Sequence, residues 1–248
     1  MLRLLPVLLL PILLTACTTP AQRADSDAYM VSAEFAERPP IQGSLFASDQ
    51  AVLSDEAIQR ILSGRVELPS GARVAVLKYP DAQPWGLRVY GRGYWASAEY
   101  LRLQQQHVEV LSRALLQAPL IADVLPLPDM MTPKEMSIPV LREAAVRLQA
   151  DMLLVFRVSA DTFTEYRFLA RDRVRVFSTC ELILLDVRTG LVPFARVVTR
   201  EREEQRLPDD TSVSETVRRA QTSAIALTVE AGAMELVDFI GRIPQKPD

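Results

Sequence analysis

The sequence predicts an α/β domain: a compact mixed sheet built strand–helix–strand–helix, then a three-strand antiparallel meander and a long C-terminal helix. Residues 151–202 carry three runs rich in Val, Leu, Ile, Phe and Thr, types that pack well on a pleated surface, separated by two breaks. Upstream, short apolar runs alternate with stretches of helical periodicity, an order that argues for a mixed sheet with helices on at least one face. Downstream, apolar and small residues recur at helical spacing as far as Phe239.

Taken in order, the elements begin at Ser54, which caps a short helix through Leu62. Ile58, Ile61 and Leu62 share one of its faces, acids sit at the positive end of its dipole, and Gly64 stops it. Ala72 to Tyr79 forms the first strand, ended by Pro80. Asp81 to Ala96 sets Trp85, Tyr90, Tyr94 and Trp95 among glycines. Those aromatics fit plugs beneath the sheet, a partner-binding surface or the wall of a small-molecule pocket. Gly91-Arg92-Gly93 lacks the further glycine and the lysine of a phosphate-binding loop.

Ser97 caps the next helix, with Tyr100, Leu101, Val108, Leu111 and Leu115 on its packed side. Ile121 to Leu127 makes a second strand, broken by Pro126, and a helix follows from Ser137 with Pro139 in its first turn and Leu141, Ala145 and Leu148 inward. The meander comprises Asp151 to Tyr166, Arg173 to Val187 and Leu191 to Arg202. Its second connection is Arg188-Thr189-Gly190, where glycine accepts positive φ without steric cost. The charge run Arg200 to Arg206 reads as a solvated strand end or loop, with an electrostatic docking strip as the alternative. In the final helix, begun at Thr211 or Ser212, the packed face is expected at Val213, Val217, Ala220, Ala224, Leu227, Ala231, Met234 and Asp238. Gly241 and Pro244 stop it ahead of a loose tail at 242–248.

The 248 residues carry a formal net charge of −3, which gives no reason to expect nucleic acid as a partner. His107 is the only histidine, so a histidine metal site cannot be assembled, and it is assigned a packing or surface role. Cys180, in mid-strand, is expected to be a small buried hydrophobe. Asp81, Asp123, Asp129, Asp161 and Glu165 show no spacing that joins a carboxylate pair to a nucleophile or metal ligands. No catalytic residue, metal or cofactor is assigned.

The amino terminus holds the most specific signal. Arg3 precedes the apolar run Leu4–Leu14, which is too short for an ordinary membrane-spanning helix and reads as a processed signal segment. Leu14-Thr15-Ala16-Cys17 resembles a bacterial lipobox. The resemblance implies cleavage before Cys17 and acylation of that residue, and two or three acyl chains anchor stably where one holds reversibly. Thr18 resembles the residue found in lipoproteins forwarded to the outer membrane. The expected organisation is a signal peptide at 1–16, a lipidated flexible tether at 17–40, an N-terminal extension with a short helix at 41–70, a mixed α/β periplasmic domain at 71–241 and a tail at 242–248.

Two phrases in the domain carry a further resemblance: Leu141-Arg142-Glu143-Ala144-Ala145 with Gln149 to Val155, and Leu185-Asp186-Val187-Arg188-Thr189-Gly190. They resemble bacterial envelope lipoproteins that share a fold with the curli secretion lipoprotein, the outer-membrane activators of penicillin-binding proteins and the amino-terminal domain of the Tol-system propeller protein. Asp186 and Thr189 can cap exposed backbone groups while Gly190 makes the turn. The resemblance implies an assembly or regulatory protein and transfers no catalytic residue. The expected function is therefore a non-enzymatic, lipid-anchored adaptor or assembly component facing the periplasm from the outer membrane. Its partners are the membrane, through the lipid, and an envelope protein, with Trp85, Tyr90, Tyr94 and Trp95 the candidate contacts. The alternatives are an oligomeric secretion or pore-complex component, formed by self-association, and an envelope hydrolase.

Overall fold

A computed structural model of the chain describes residues 54–79, 94–132, 136–166 and 171–247, and the backbone alone at 94–101, 103, 104 and 129. The strands are β1 (Ala72–Lys78), β2 (Ile121–Pro126), β3 (Met152–Glu165), β4 (Arg173–Asp186) and β5 (Phe194–Gln205). The helices are α1 (Asp55–Ser63), α2 (Tyr94–Leu115), α3 (Ile138–Arg147) and α4 (Val213–Ile240), with a 3-10 turn at Asp129–Met131. The strands form one five-stranded sheet in the order β2-β1-β3-β4-β5. β1 pairs in parallel with β2 and β3, and β3, β4 and β5 form an antiparallel meander.

The chain order explains where the helices lie. The step from β1 to β2 moves one way along the sheet, and the step from β2 to β3 moves back across β1. Right-handed crossovers then place the two connecting helices on opposite faces. Leu111 and Leu115 of α2 accordingly pack with Val74, Val76, Met152 and Leu154, whereas Leu141, Ala144 and Ala145 of α3 pack with Ala75, Leu77, Leu153 and Val155. The parallel half is thus covered on both faces, which is why β1 and the start of β3 read as continuous apolar runs. α3 ends in a paired-hydrogen-bond cap in which Gln149 N–H donates to Val146 O and Ala150 N–H to Ala145 O, with Gln149 at φ 56°.

α4 packs on β3, β4 and β5 on the same side as α2. Its inward residues correct the sequence expectation. Leu227 and Met234 are exposed, and the seam runs through Thr216, Ala220, Ala224, Thr228, Gly232, Leu236 and Ile240. Two threonines and a glycine hide this line from a search for large apolar side chains. Thr228 Oγ1 donates to Ala224 O at 2.7 Å, and Thr216 Oγ1 donates to Asp210 Oδ2 at 2.7 Å, so both buried hydroxyls are satisfied. A Cβ on Gly232 would lie 2.6 Å from Leu182 Cδ1. Leu182 is itself fully buried, so making room for a side chain there means repacking the core.

Three boundaries also shift. α2 starts at Tyr94, not after Ser97, so Tyr94 and Trp95 belong to its first turn. β5 runs on to Gln205, so most of the charge run is strand. The end of the chain is no loose tail: Leu68 N–H donates to Pro244 O at 3.0 Å, Lys246 N–H donates to Leu68 O at 2.7 Å, and Ile243 is buried.

Asp210 fastens β5 to the start of α4. Its carboxylate accepts from Leu207 N–H at 2.8 Å, Thr216 Oγ1 at 2.7 Å and Arg219 Nη1 at 2.9 Å, while Arg219 Nε donates to Glu204 Oε2 at 2.6 Å. The Arg219 guanidinium, then the Thr216 hydroxyl and the Leu207 amide, hold this carboxyl well below the usual carboxylate range. A depressed folded-state pKa gives stability that is full above the unfolded-chain value, about 3.9, and lost as pH falls through the folded-state value. Asp210→Asn is therefore expected to lower the thermal midpoint at neutral pH and to flatten its decline on acidification. A variant whose acid decline parallels the parent's would contradict this. Gly232→Val is expected to reduce unfolding free energy by about 1–3 kcal/mol, read from the denaturant midpoint, and an unchanged midpoint would show that the seam has slack.

Candidate functional site

At the base of the sheet, the β4–β5 connection folds on its own side chains. Asp186 Oδ1 accepts from Arg188 N–H at 3.1 Å, and its Oδ2 accepts from Thr189 Oγ1. Leu191 N–H donates to Thr189 Oγ1 at 3.2 Å, and Gly190 N–H donates to Asp186 O at 2.8 Å with φ +79°. From α3, Arg142 Nε donates to Val187 O at 2.9 Å and Nη2 to Arg188 O at 2.7 Å. Arg188 in turn donates to Asp151 Oδ1 at 3.0 Å, and Asp151 Oδ2 accepts from the Arg73 amide at 3.0 Å. Both oxygens of each carboxylate are engaged. The cluster shapes the turn rather than presenting a base to a substrate.

Beside this turn lies an open cleft of about 1140 Å³. α1 forms one rim. Ser54 caps it by accepting from Ala57 N–H at 3.2 Å, yet none of its residues is buried, and Ile61 and Leu62 of its apolar face line the cleft. Its carboxyl end is pressed against the turn, since a Cβ on Gly64 would lie 2.6 Å from Leu191 Cδ1. Val66, Ile138, Leu191, Phe239 and Ile243 supply the rest of the apolar wall. Arg142 and Arg242 also line it, and among the described residues no Asp or Glu does. Arg242 Nε donates to the carbonyl of Asp238 at 3.1 Å. The strap between Leu68 and residues 244–246 adjoins this wall and fixes the chain end there.

A second candidate is the face of the meander opposite α4. α3 covers only the base of this face, and no other described helix extends the cover. Ala195, Val197, Thr199, Glu201 and Glu203 of β5 are all exposed, Val197 at 68%. Charges on this face are arranged across strands: Arg157 meets Glu181 at 2.7 Å, and Arg175 meets Glu201 at 3.0 Å and Glu203 at 3.1 Å. Thr179 and Thr199 share a hydrogen bond at 3.0 Å, and Phe163 and Phe177 meet edge to face at 5.7 Å. Such rows stabilise a solvent-facing sheet, and the charges on β5 discourage edge-to-edge pairing.

Of the sequence-assigned site residues, Cys17, Trp85 and Tyr90 lie outside the described residues, and Tyr94 and Trp95 are placed in the first turn of α2. Asp186, Thr189 and Gly190 come together in the turn above. The cleft was not foreseen. It is assembled from α1, α3, the β4–β5 turn and the end of α4, which are remote in sequence, and its one local signal was the apolar face of α1.

Burial, with Lys78 nearby, lowers His107 to about 4, so its ring is neutral at pH 7, and its Nδ1 has no hydrogen-bond partner among the described residues. Burial, aided by Glu181, raises the Cys180 thiol to about 12, far from thiolate reactivity. Among the described residues, no three His, Cys, Asp or Glu converge to hold a metal. Asp123 lies on β2, Asp129 in the 3-10 turn, and Asp161 and Glu165 on β3. No described helix is long and apolar enough to cross a membrane.

No family model and no curated protein matches the chain. Solved structures give distant likenesses. A minor lipoprotein from Acinetobacter baumannii is 12% identical over 73% of this chain and 99% of that one, with a TM-score of 0.34. Rare lipoprotein B from Shewanella oneidensis is 11% identical over 68% of this chain and 89% of that one, with a TM-score of 0.30. A PelC dodecamer from Paraburkholderia phytofirmans is 21% identical over 68% of this chain and 92% of that one, with a TM-score of 0.29. Two of the three are lipoproteins by name, all are distant resemblances, and they single out none of the fold relatives suggested by the sequence phrases.

Proposed function

We propose that the protein is a non-enzymatic, lipid-anchored adaptor or assembly component of the bacterial envelope. Acylated Cys17 holds it to the outer membrane, and the domain binds an envelope protein on the periplasmic side. The resemblance of the phrases around Asp151 and Gly190 to envelope lipoproteins that share the curli-secretion fold supports this reading.

The observation that carries the proposal is the exposed β5 side of the meander, three strands wide and crossed by side-chain pairs. A half-polar sheet face offers a protein partner both apolar area and charged or hydroxyl groups to meet. The segment bearing Trp85 and Tyr90 leaves the carboxyl end of β1, where Tyr79 N–H donates to Phe156 O at 2.7 Å. Carboxyl ends of parallel strands are the usual location of binding segments in open α/β sheets. Aromatic side chains in the segment that follows β1 in sequence would provide contact area at low entropic cost.

The test is site-specific photocrosslinking in cells, with the probe placed in turn at Trp85, Tyr90, Trp95 and Thr199 of the full, lipidated chain. The expected result is one shared envelope-protein adduct from these positions and none from Met234 on α4. Adducts confined to lipid, or the same adduct from Met234, would overturn the assignment. Metabolic labelling with palmitate, present in the parent and absent from Cys17→Ala, is the matching expectation for the anchor.

A further inference from the structure

We infer that the cleft beside α1 binds a long-chain fatty acid, its hydrocarbon lying along Ile61, Leu62, Leu191 and Phe239 and its carboxylate meeting Arg142 and Arg242. This surface is separate from the meander face, so the inference stands whether or not a protein partner binds there.

Three properties of the cleft select this ligand. The first is exposed apolar surface that is left uncovered among the described residues: Ile61 and Leu62 are 46% and 74% exposed, although the α1 face that carries them is apolar. A water-facing wall of this kind is stabilised by whatever hydrocarbon covers it. The second is charge. Arg142 and Arg242 have backbone carbonyls as their hydrogen-bond acceptors, and neither meets a carboxylate among the described residues. A ligand carboxylate supplies what the lining omits, and guanidinium is the side chain best shaped to receive it.

The third property is the backbone. Pro139, Pro193 and Pro244 line the cleft and have no N–H, Leu191 has both its N–H and its C=O engaged within the turn, and the Pro244 carbonyl is taken by Leu68. An extended peptide entering the cleft would bring its own N–H and C=O groups and find few partners for them. A hydrocarbon chain brings none. The cleft is somewhat larger than the roughly 300–1,000 Å³ common for small-molecule sites, leaving room for a long chain bound along an open groove.

The probe is cis-parinaric acid, a fluorescent polyene fatty acid, with its methyl ester as the uncharged counterpart. The protein is the full chain carrying Cys17→Ser, so that no attached lipid competes. The account predicts saturable binding of the acid, with the ester at least tenfold weaker. Arg242→Gln is expected to weaken the acid about tenfold while leaving the ester unchanged. Leu62→Asp, at an exposed position that leaves the core untouched, is expected to abolish saturable binding of both without altering the thermal midpoint. Absence of saturable acid binding, as when a peptide or the chain itself occupies the cleft, would overturn the inference. So would equal binding of acid and ester, or acid binding that survives Leu62→Asp.

Discussion

The close seating of α4 on β4 is the contact on which the rest of the domain depends. A helix can approach a sheet this closely only where its side chains are small, and the line from Ala220 through Ala224, Thr228 and Gly232 meets that need. Gly232 leaves the space that Leu182 fills, and Cys180 lies next to it. From that seam the core extends to α2 through Val229, Ala233 and Leu236, and to the chain end through Ile240 and Ile243. A smaller cluster of Ala160, Val174, Val176, Ala220 and Ala224 carries the same packing along the outer half of the meander. Asp210 and Arg219 fix one end of the helix, and the strap to Leu68 follows the other.

That seating divides the sheet into two functional halves. The parallel half is sandwiched between α2 and α3, and its side chains serve packing. The antiparallel half has α4 on one face and solvent against β5 on the other, so available surface lies there and at the sheet base, where α1 and the β4–β5 turn frame the cleft. Cross-strand ion pairs run over the first, and the hydrogen-bonded chain Arg142, Asp186, Thr189 and Gly190 shapes the turn beside the second. Individual exposed pairs such as Arg175–Glu201 contribute little stability, about 0–1 kcal/mol.

Much of the fold was legible from residues alone, because strand composition and helix periodicity are local properties. The three runs after residue 151 became β3, β4 and β5, and the Asp186–Gly190 phrase was recognisable as a turn from its side chains. The register of α4 was not legible. Its seam uses Thr and Gly, residues whose burial depends on Leu182 and Asp210 across the fold, while the exposed Leu227 and Met234 looked like core. The cleft was unreadable for a related reason: no window of sequence contains both Leu62 and Phe239. Leu68 and Gln245 likewise pair across nearly the whole domain, so the held chain end could not be inferred from its own composition.

Native-state hydrogen exchange tests most directly the claim that α4 and the meander form one cooperative unit. Amides of α4 between Ala220 and Leu236 should open with the same, largest free energy as those of β3 and β4, with α1 exchanging far more easily because it buries nothing. If α4 opens at a markedly lower free energy than β3 and β4, the helix is a detachable cover and its seam cannot be the contact on which the domain depends.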